Sequence, residues 1–541
     1  MKPTRRQFLQ QTCLTGMALA VTGTQAADTG IQKFRVLITA DLHAQLFTHD
    51  EFFWENNQAV FRKRGGLDVL KSMVQRLRAE VPDTILLDAG DYFHGHAIAS
   101  WTEGQALIPL LQEFQYDILV PGNWEVVYRK QRMLDDLGAV TATKICANMW
   151  HEGEDKRPIF QPWSIREAGG VRIGFIGYTD HLVPKRQPPA FSAGIRFTHA
   201  LESVAAHIRY LREAEKCSVV FVVTHMGLAQ QIGLANNPAL AGADLIIGAD
   251  THERVREPIR GAYTSVVECG AFGSFLGKLD FTVNDGKVEA MNYALLDVDP
   301  DNYPADPAMT ALITKARMPH RKKLDEIIGY TSTPLMRYFV LETPMDNLIT
   351  DAIRWKFQPD IALSNGYRFC QPLAVKGTVA PITREFLWNM LPLDSEARTA
   401  KVTGKQLVAW LEKELENAFA SDPTKRFGGW FVRYSGMKVT FTIGAPPGQR
   451  VREVLVGGTP LEADRQYRIV ACEREGDPID TLCRIDKVLE PRSLGVMLHS
   501  VVEEYVREHY PVAPVLEGRA VATDQPQTLL TQLQGTTYTF R

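Results

Sequence analysis

Apolar runs alternate with amphipathic stretches over residues 33–295. Stretches such as 67–80 and 201–216 have helical periodicity, whereas the short apolar runs between them are typical of buried strands. This alternation predicts an α/β domain. A further strand pair is predicted over 266–283, and the glycines inside it indicate bends or a close approach of the backbone.

A stretch rich in proline and aspartate, 297–307, interrupts this alternation and predicts a hinge. A charged helix is predicted from Pro307 to Ile328, so that residues 296–329 form a linker and a helix. A second domain is predicted over 330–523, followed by a polar tail over 524–541. The elements predicted in the second domain are a helix over 347–357, a strand over 361–364, a helix over 403–419 and a β region over 431–470.

The N-terminus has the pattern of an export signal. Arg5 and Arg6 are followed by Phe8 and Leu9, a weakly apolar run and the small residues around Ala26. The paired arginines predict a twin-arginine signal over residues 1–27 and a periplasmic mature protein. A disordered or membrane-anchoring N-terminus is the alternative. No later run approaches the ~18 apolar residues that a membrane span needs.

Composition limits the classes of protein to consider. A chain of 541 residues exceeds one hydrophobic core, so two or three domains are expected. The net charge of -3 gives no indication of a nucleic acid or an anionic membrane as partner, and we expect a monomer. Of the seven cysteines, Cys472 and Cys483 are close enough in sequence to bridge, but buried free thiols are the expectation.

Five short polar motifs follow five of the predicted strands. Ligand sites in open α/β sheets lie beyond the carboxyl ends of strands, and Asp, His and Asn are donors that suit divalent metals. A two-metal hydrolase needs one carboxylate shared between its ions, and Asp91 is the candidate. The motifs are Asp41-Leu42-His43, Gly90-Asp91, Gly122-Asn123-Trp124-Glu125, Thr224-His225 and Asp250-Thr251-His252.

The order of these motifs resembles that of the calcineurin-like metallophosphoesterases, which read DxH, GD, GNH(E/D), H and GHxH. The resemblance implies a four-layer α/β/β/α sandwich that holds two divalent metal ions. It assigns one ion to Asp41, His43, Asp91 and His252. It assigns the other ion to Asp91, Asn123, His225 and Asp250.

Two positions depart from the family pattern. Trp124 stands where the family has a histidine that assists the leaving group, and tryptophan cannot transfer a proton. Asp250 replaces the first histidine of GHxH, which makes the site more anionic and favours manganese or magnesium over zinc. The nearest replacements for the missing acid are His94, His96 and Glu125, each of which has a structural role as the alternative.

The second domain resembles the C-terminal domain of bacterial 5′-nucleotidases, with matches at Asp346-Asn347-Leu348, 360–366, 381–383 and 402–404. In that family an NGGGxR loop directs an arginine towards the substrate phosphate, and two aromatic rings stack on the base. Here the loop is Asn365-Gly366-Tyr367-Arg368-Phe369. The resemblance implies that Arg368 binds the anion and that Tyr367 and Phe369 contact the substrate. Residues 472–478 stand where the second stacking ring is expected.

A narrower resemblance is to the SoxB-type thiosulfohydrolases, a branch of the nucleotidases. They are exported manganese enzymes that release sulfate from a cysteine-bound thiosulfonate on a carrier protein. The resemblance rests on 101–105, the Trp124-Glu125 pair, 428–429, 432–433 and 436–437. It implies a catalytic group of Asn123, Trp124, Glu125 and Arg368, with Trp430 lining the substrate slot or, alternatively, belonging to the core.

Three functions are therefore open. The first is a SoxB-like hydrolase in which a metal-bridging hydroxide attacks a thiosulfonate on a carrier protein. The second is a periplasmic 5′-nucleotidase acting on a small phosphate ester, and the third is a catalytically silent metal-binding relative. The cofactor expected for the first two is a pair of divalent ions, manganese in the first place, with magnesium or zinc as alternatives.

Overall fold

The computed structural model describes residues 31–153, 157–366 and 368–530. The predicted twin-arginine signal and residues 531–541 lie outside the described residues, as does Tyr367. Within the described ranges, no helix is long and apolar enough to cross a membrane.

The first domain runs from the first described residue to Asp297. Its strands are β1 (Ile31–Thr39), β2 (Thr48–Glu55), β3 (Gln58–Gly65), β4 (Thr84–Asp88), β5 (Ile118–Leu119), β6 (Thr143–Lys144), β7 (Met149–His151), β8 (Trp163–Ala168), β9 (Val171–Thr179), β10 (Ile195–Phe197), β11 (Val219–His225), β12 (Leu245–Ala249), β13 (Ile259–Arg260), β14 (Ser265–Glu268), β15 (Phe275–Asn284) and β16 (Lys287–Asp297). Its helices are α1 (Leu67–Glu80), α2 (Ala97–Thr102), α3 (Ile108–Phe114), α4 (Arg129–Ala139), α5 (Val183–Arg186), α6 (Val204–Glu213) and α7 (Leu228–Ala235).

Two six-stranded sheets form the centre of this domain, in the orders β16-β15-β1-β4-β5-β6 and β13-β14-β12-β11-β9-β8. Their facing sides share one apolar core, in which Ile38 and Leu87 of the first sheet cluster with Phe221 of the second. Helix α1 covers the other face of the first sheet, and α6 and α7 cover the other face of the second. The four-layer α/β/β/α sandwich is thereby confirmed.

The strands that precede the five motifs are neighbours. Strands β1, β4 and β5 are adjacent and parallel in the first sheet, and β11 and β12 are adjacent and parallel in the second. Since parallel strands end at the same edge, all five motifs are brought to the carboxyl ends of the two packed sheets.

The strand pair predicted over 266–283 is wrong. Both strands form, as β14 and β15, but β14 pairs with β12 and β13 whereas β15 pairs with β1 and β16. The chain crosses from one sheet to the other between them. Gly270 (φ +70°) and Gly273 (φ +66°) permit that crossing because their backbone lies in the left-handed region.

The linker also differs from its prediction. The predicted charged helix is divided into two, Pro307–Arg317 and Arg321–Leu324, and it does not reach Ile328 because Ile327–Thr331 forms a strand. The elements from the linker onward are α8 (Pro307–Arg317), α9 (Arg321–Leu324), β17 (Ile327–Thr331), α10 (Pro344–Phe357), β18 (Ile361–Ser364), β19 (Ala380–Thr383), α11 (Arg384–Met390), β20 (Glu396–Thr403), α12 (Gly404–Phe419), β21 (Arg433–Ser435), β22 (Met437–Phe441), β23 (Val451–Val456), β24 (Thr459–Pro460), β25 (Gln466–Cys472), β26 (Leu489–Met497), α13 (Leu498–Glu508) and β27 (Ala520–Ala522).

A five-stranded sheet of order β21-β18-β25-β20-β26 organises the second domain, beside a four-stranded sheet of order β24-β23-β22-β27. The tail predicted from residue 524 begins later, because Leu529 is buried in this domain and its carbonyl accepts a hydrogen bond from Val340. The described cysteines are free thiols, including Cys472 and Cys483.

Polar contacts, some of them buried, join the two domains close to the site. Tyr338 of the second domain and Arg254 of the first both donate to the buried carboxylate of Glu51. Arg474 donates to the carbonyl of Lys185 at 3.2 Å, and His96 bonds to Glu385 at 2.9 Å. The second domain is therefore held against the edge of the sheets where the motifs lie.

Candidate metal centre and substrate pocket

The side chains of the five motifs converge on one buried centre. His43 Nε2 lies 3.0 Å from His252 Nε2, and the latter lies 3.5 Å from Asp41 Oδ1. His43 Nε2 also lies 3.6 Å from Asp91 Oδ2. The ligand atoms of Asp41, His43 and His252 lie close enough together to form a group suited to a divalent cation.

A second group, Asp41, Asp91 and His225, shares Asp41 with the first, and its Asp91 also faces His43. His225 Nε2 lies 3.2 Å from Asp91 Oδ2 and 3.8 Å from Asp41 Oδ1. Asn123 donates its amide to Asp250 at 3.0 Å, which leaves its carbonyl oxygen as a ligand. Asn123 Oδ1 and His225 Nε2 are buried and have no hydrogen-bond partner among the described residues. A buried acceptor without a partner lowers the stability of the fold unless a cation or water binds to it. These atoms therefore fit the ligand set of a metal ion.

The backbone at these positions is strained. Five of the predicted ligands, Asp41, His43, Asp91, Asp250 and His252, have φ between +48° and +89°, in the left-handed region that side chains disfavour. Non-glycine residues in that region are uncommon and cluster at functional sites. The glycines beside them are also constrained, because a Cβ on Gly122 would lie 2.3 Å from Asp91 Oδ1.

Hydrogen bonds behind the centre orient two of the imidazoles. His225 Nδ1 bonds to the carbonyl of Ala89 at 2.7 Å, and His43 Nδ1 bonds to the carbonyl of His94 at 3.1 Å. A carbonyl at Nδ1 fixes the proton there and leaves Nε2 with a lone pair directed at the centre. Backbone atoms thus select the ligand nitrogen at both histidines.

The electrostatics of the two histidines differ. Burial lowers the pKa of His43 to about 4, so its imidazole is neutral and available as a ligand. Burial would also lower the pKa of His225, but the carboxylate of Asp91 raises it above its usual value. The negative surroundings of His225 therefore favour a positive charge at this place. Either a bound cation or a proton on the imidazole would supply it.

Two of the three proton-donor candidates are engaged elsewhere. The Glu125 carboxylate is buried and accepts the backbone N–H groups of Tyr92 at 2.7 Å, Asp91 at 3.1 Å and Gly122. It fixes the GD and GN loops and does not line the pocket. His96 caps helix α2 and bonds to Glu385 of the second domain.

The third candidate, His94, lies against the residue that replaced the family histidine. Its ring stacks on Trp124 with centroids 3.8 Å apart and planes 5° apart. Both ring nitrogens are buried and have no partner among the described residues. Burial lowers the pKa of His94 well below its usual value, so its imidazole is neutral and is not an imidazolium acid. The described part of the pocket therefore presents Trp124 and a neutral His94 in place of an acid.

An arginine that the sequence analysis did not select completes the centre. Arg186 Nη2 lies 2.8 Å and 3.0 Å from the two carboxylate oxygens of Asp250, and its Nη1 lies 2.7 Å from Asp180. Burial would raise the pKa of Asp250, but Arg186 holds it below its usual value. The predicted ligand Asp250 is thus shared with a guanidinium, and no motif marked Arg186 in advance.

The second domain contributes Arg368 and aromatic rings to the same pocket. Arg368 lies over Trp430, 5.9 Å from the ring centroid, and its buried Nε has no partner among the described residues. Phe369 packs on His43 at a centroid distance of 4.7 Å, so its ring covers the metal centre and is not free to stack on a base. The pocket is lined by His43, Asp91, His94, Asn123, Trp124, Arg186, Asp250, His252, Arg368, Phe369, Phe427 and Trp430 among others.

The fold and this centre define a metallohydrolase of the two-sheet sandwich type. Two family models match the chain, calcineurin-like phosphoesterase over residues 34–254 and the 5′-nucleotidase C-terminal domain over residues 327–473. The chain belongs to the calcineurin-like phosphoesterases that carry a 5′-nucleotidase C-terminal domain, and it is a metal-dependent hydrolase of that class.

Individual relatives include both branches considered above. The trifunctional nucleotide phosphoesterase YfkN of Bacillus subtilis is 25% identical over 498 residues, which are 82% of this chain and 33% of that protein. This chain thus spans about a third of that relative. The sulfate thiohydrolase SoxB of Thermus thermophilus has a TM-score of 0.82 at 22% identity and covers 92% of this chain and 98% of its own. The 5′-nucleotidase precursor of the same organism has a TM-score of 0.79 at 22% identity, with 91% and 100% coverage.

Proposed function

We propose that the protein hydrolyses a thiosulfonate bound to a cysteine of a carrier protein and releases sulfate. The observation that supports this most is the stacked pair of Trp124 and His94 at the position of the family acid. A centre without an acid suits a leaving group that departs as a stable anion. A persulfide is such a group, whereas an alkoxide leaving a phosphate monoester needs a proton.

The chemistry balances without a proton donor. Water oxygen forms a bond to the sulfonate sulfur, and the bond from that sulfur to the outer sulfur of the carrier breaks. The electron pair leaves on the carrier as a persulfide anion, and the two protons of water pass to solvent as sulfate forms. No oxidant or reductant takes part.

The residues divide this task between the two domains. Asp41, His43, Asp91, Asn123, His225, Asp250 and His252 would hold the divalent ions, which we propose to be manganese because carboxylate-rich sites favour harder ions. Such ions supply an activated water and polarise the substrate oxygens when they are bound. The guanidinium of Arg368 offers coplanar N–H donors to the sulfonate oxygens, and it packs over the ring of Trp430.

The second candidate function is the hydrolysis of a nucleotide. It is supported by the aromatic rings of Phe427 and Trp430, which line the pocket together with Arg368. Against it stands the packing of Phe369 on His43, which removes one of the rings that a base would need.

The substrate is decided by a parallel assay. We expect manganese-loaded protein to release sulfate from a cysteine-S-thiosulfonate peptide, and to turn over AMP at a rate lower by ~10²-fold or more, which is the usual contribution of a missing acid. Bis-p-nitrophenyl phosphate, whose nitrophenolate leaves without a proton, tests whether the centre attacks phosphorus at all. Ion chromatography and phosphate release measure the two activities.

Two variants sharpen this assay. Asp91→Ala should abolish sulfate release, which excludes a contaminating hydrolase. Trp124→His returns an acid to the family position and should raise AMP turnover relative to sulfate release. Nucleotide turnover by the wild-type protein without sulfate release would establish the nucleotidase instead. Inactivity on all three substrates with metal bound would point to a silent metal-binding relative.

We also propose that the protein is exported through the twin-arginine route, on the basis of Arg5 and Arg6. Replacing both by lysine is expected to leave the protein in the cytoplasm of the producing bacterium, because that route reads the paired guanidinium groups. Fractionation followed by immunoblotting measures the distribution. Replacement of Lys2 by arginine is the control, and an unchanged periplasmic fraction in the double-lysine variant would contradict the proposal.

A further inference from the structure

The guanidinium of Arg186 lies at the edge of the candidate metal centre. Helix α5 places Arg186 between two carboxylates, and its bonds to Asp180 at 2.7 Å and to Asp250 at 2.8 Å and 3.0 Å use Nη1 and Nη2. Asp180 is fully buried, and the side chains of Arg186 and Asp250 are 12% and 5% exposed. Two charge-assisted contacts on one guanidinium fix its orientation more firmly than a single surface ion pair would.

This guanidinium lies at the junction of the two domains. A Cβ on Gly428 would lie 2.7 Å from Arg186 Nη2, so only glycine at this position, with φ +89°, lets the loop of the second domain approach Arg186 so closely. The next residue, Gly429, accepts a hydrogen bond from Arg368 Nη2 at 3.1 Å. The Gly428-Gly429 loop therefore contacts both arginines, and both arginines line the same pocket.

The negative charge of Asp250 explains why a guanidinium beside it matters for anion binding. At the position where the family has a neutral histidine, Asp250 adds a carboxylate to a centre that already contains Asp41 and Asp91. An incoming oxyanion would be repelled by that added charge across a poorly screened, buried pocket. Arg186 offsets part of that charge, since its guanidinium bonds to both oxygens of Asp250 and also pairs with Asp180. A guanidinium keeps its proton at any pH at which a protein stays folded, so this cation is permanent.

Arg186 also retains donors for a ligand. Its bonds to Asp180 and Asp250 are made by Nη1 and Nη2, and its Nε donates to no residue in the described ranges. An arginine that only neutralised Asp250 would not need to line the pocket. Here the pocket that contains His43, Asp91 and Arg368 is lined by Arg186 as well.

We propose that Arg186 is a substrate-positioning residue that binds an oxygen of the substrate's tetrahedral oxyanion together with Arg368, and that Asp250 and Arg186 act as a matched pair. This inference rests on the proposed function, because it takes the reacting group to be a sulfonate or phosphate. It explains how the centre tolerates Asp250 in place of histidine and still accepts an anion.

The test measures anion binding and metal content separately from turnover. Metal-loaded wild-type protein is titrated calorimetrically with inorganic sulfate and phosphate, beside Arg186→Met, Arg186→Lys and the exposed control Arg209→Met. Metal content is measured by inductively coupled plasma mass spectrometry. We expect Arg186→Met to keep its metal and to weaken anion binding ~10–100-fold, the scale of a lost charge-assisted contact. Arg186→Lys should recover part of that loss, and Arg209→Met should match the wild type.

A double variant tests the pairing itself. Asp250→His combined with Arg186→Met removes the added carboxylate and its counter-ion together, so it should bind anions more tightly than Arg186→Met alone. With the thiosulfonate peptide, Arg186→Met should raise KM more than it lowers kcat, which a general loss of structure would not produce.

The possible failures are distinguishable. If metal-loaded Arg186→Met binds sulfate and phosphate within twofold of the wild type, Arg186 is a structural counter-ion and the inference is overturned. The inference is also overturned if Arg186→Met loses its metal, because Arg186 then serves the metal site. Anion binding that depends on Arg186, in a protein that releases no sulfate from the peptide, would uphold the inference and refute the proposed substrate.

Discussion

Replacing Asp91 with asparagine is expected to lower kcat/KM by at least ~10³-fold for any substrate that the wild-type protein hydrolyses, a loss of about 4 kcal/mol of transition-state stabilisation. Asp91 Oδ2 lies 3.2 Å from His225 Nε2 and 3.6 Å from His43 Nε2, so one carboxylate faces both ligand groups. Asparagine keeps the shape but removes the charge that two bound cations would share. Metal content should therefore fall together with activity.

Asp91 has a second task, which makes the choice of asparagine important. Its Oδ1 accepts the backbone N–H of Trp124 at 2.8 Å, and an amide oxygen can still accept that bond. The fold of the GN loop should survive, so the loss of activity reflects the lost charge. Circular dichroism and thermal unfolding check this point beside the metal analysis.

The matched control is Asp285→Asn, at an exposed turn where the backbone lies in the left-handed region that asparagine tolerates. It should leave activity, metal content and stability unchanged. An Asp91→Asn protein with full metal content and activity within tenfold of the wild type would show that Asp91 is not shared between the ions, and would contradict the placement of the centre.

Much of this centre could be predicted from the sequence, for a physical reason. Strands that are buried on both faces have continuous apolar runs, so the residue at which each run ends is visible in the sequence. Asp41, Asp91 and His225 each stand at such an end, and the parallel pairing of β1 with β4 and of β11 with β12 brings the ends together. Knowing where each strand ends is thus sufficient to group Asp41, Asp91 and His225, without any knowledge of the loop conformations.

Arg186 could not be predicted in the same way. It lies in a helix of four residues, outside any periodic pattern, and its partner Asp250 is 64 residues away. Their contact depends on the packing of β9 beside β11 and on the second domain, whose Gly428 lies over the guanidinium. The role of Phe369 depends equally on tertiary packing, since the sequence indicates an aromatic residue in a loop but not that its ring covers His43.

Replacing Asp346 with alanine is expected to cost about 3–5 kcal/mol of stability, the range found when one partner of a buried ion pair is removed. Asp346 is fully buried and accepts hydrogen bonds from Arg337 at 2.9 Å, from Arg433 at 3.1 Å and from Thr343 at 2.7 Å. The two arginines are 1% and 3% exposed. Both guanidinium groups would therefore stay buried in the variant after losing the carboxylate at position 346.

The effect should extend to the pocket. Arg337, which Asp346 orients, also donates to the carbonyl of Phe369 at 3.0 Å, and Phe369 packs on the predicted ligand His43. A loosened Arg337 would release the loop that holds Arg368 and Phe369 over the metal centre. We therefore expect Asp346→Ala to lower substrate affinity even at temperatures where the second domain stays folded.

Thermal unfolding of the metal-loaded protein measures the loss of stability in Asp346→Ala. A loss of this size corresponds to a decrease in the unfolding temperature of about 10 °C for a domain of this length. Asp346→Asn keeps the acceptor geometry and should lie between alanine and wild type. The control Asp464→Ala removes an exposed partner of Lys405, a surface pair worth at most about 1 kcal/mol, and should shift the transition little. A decrease for Asp346→Ala no larger than that of Asp464→Ala would mean that solvent reaches Arg337 and Arg433, and that the Asp346-Asn347-Leu348 motif does not hold the second domain together.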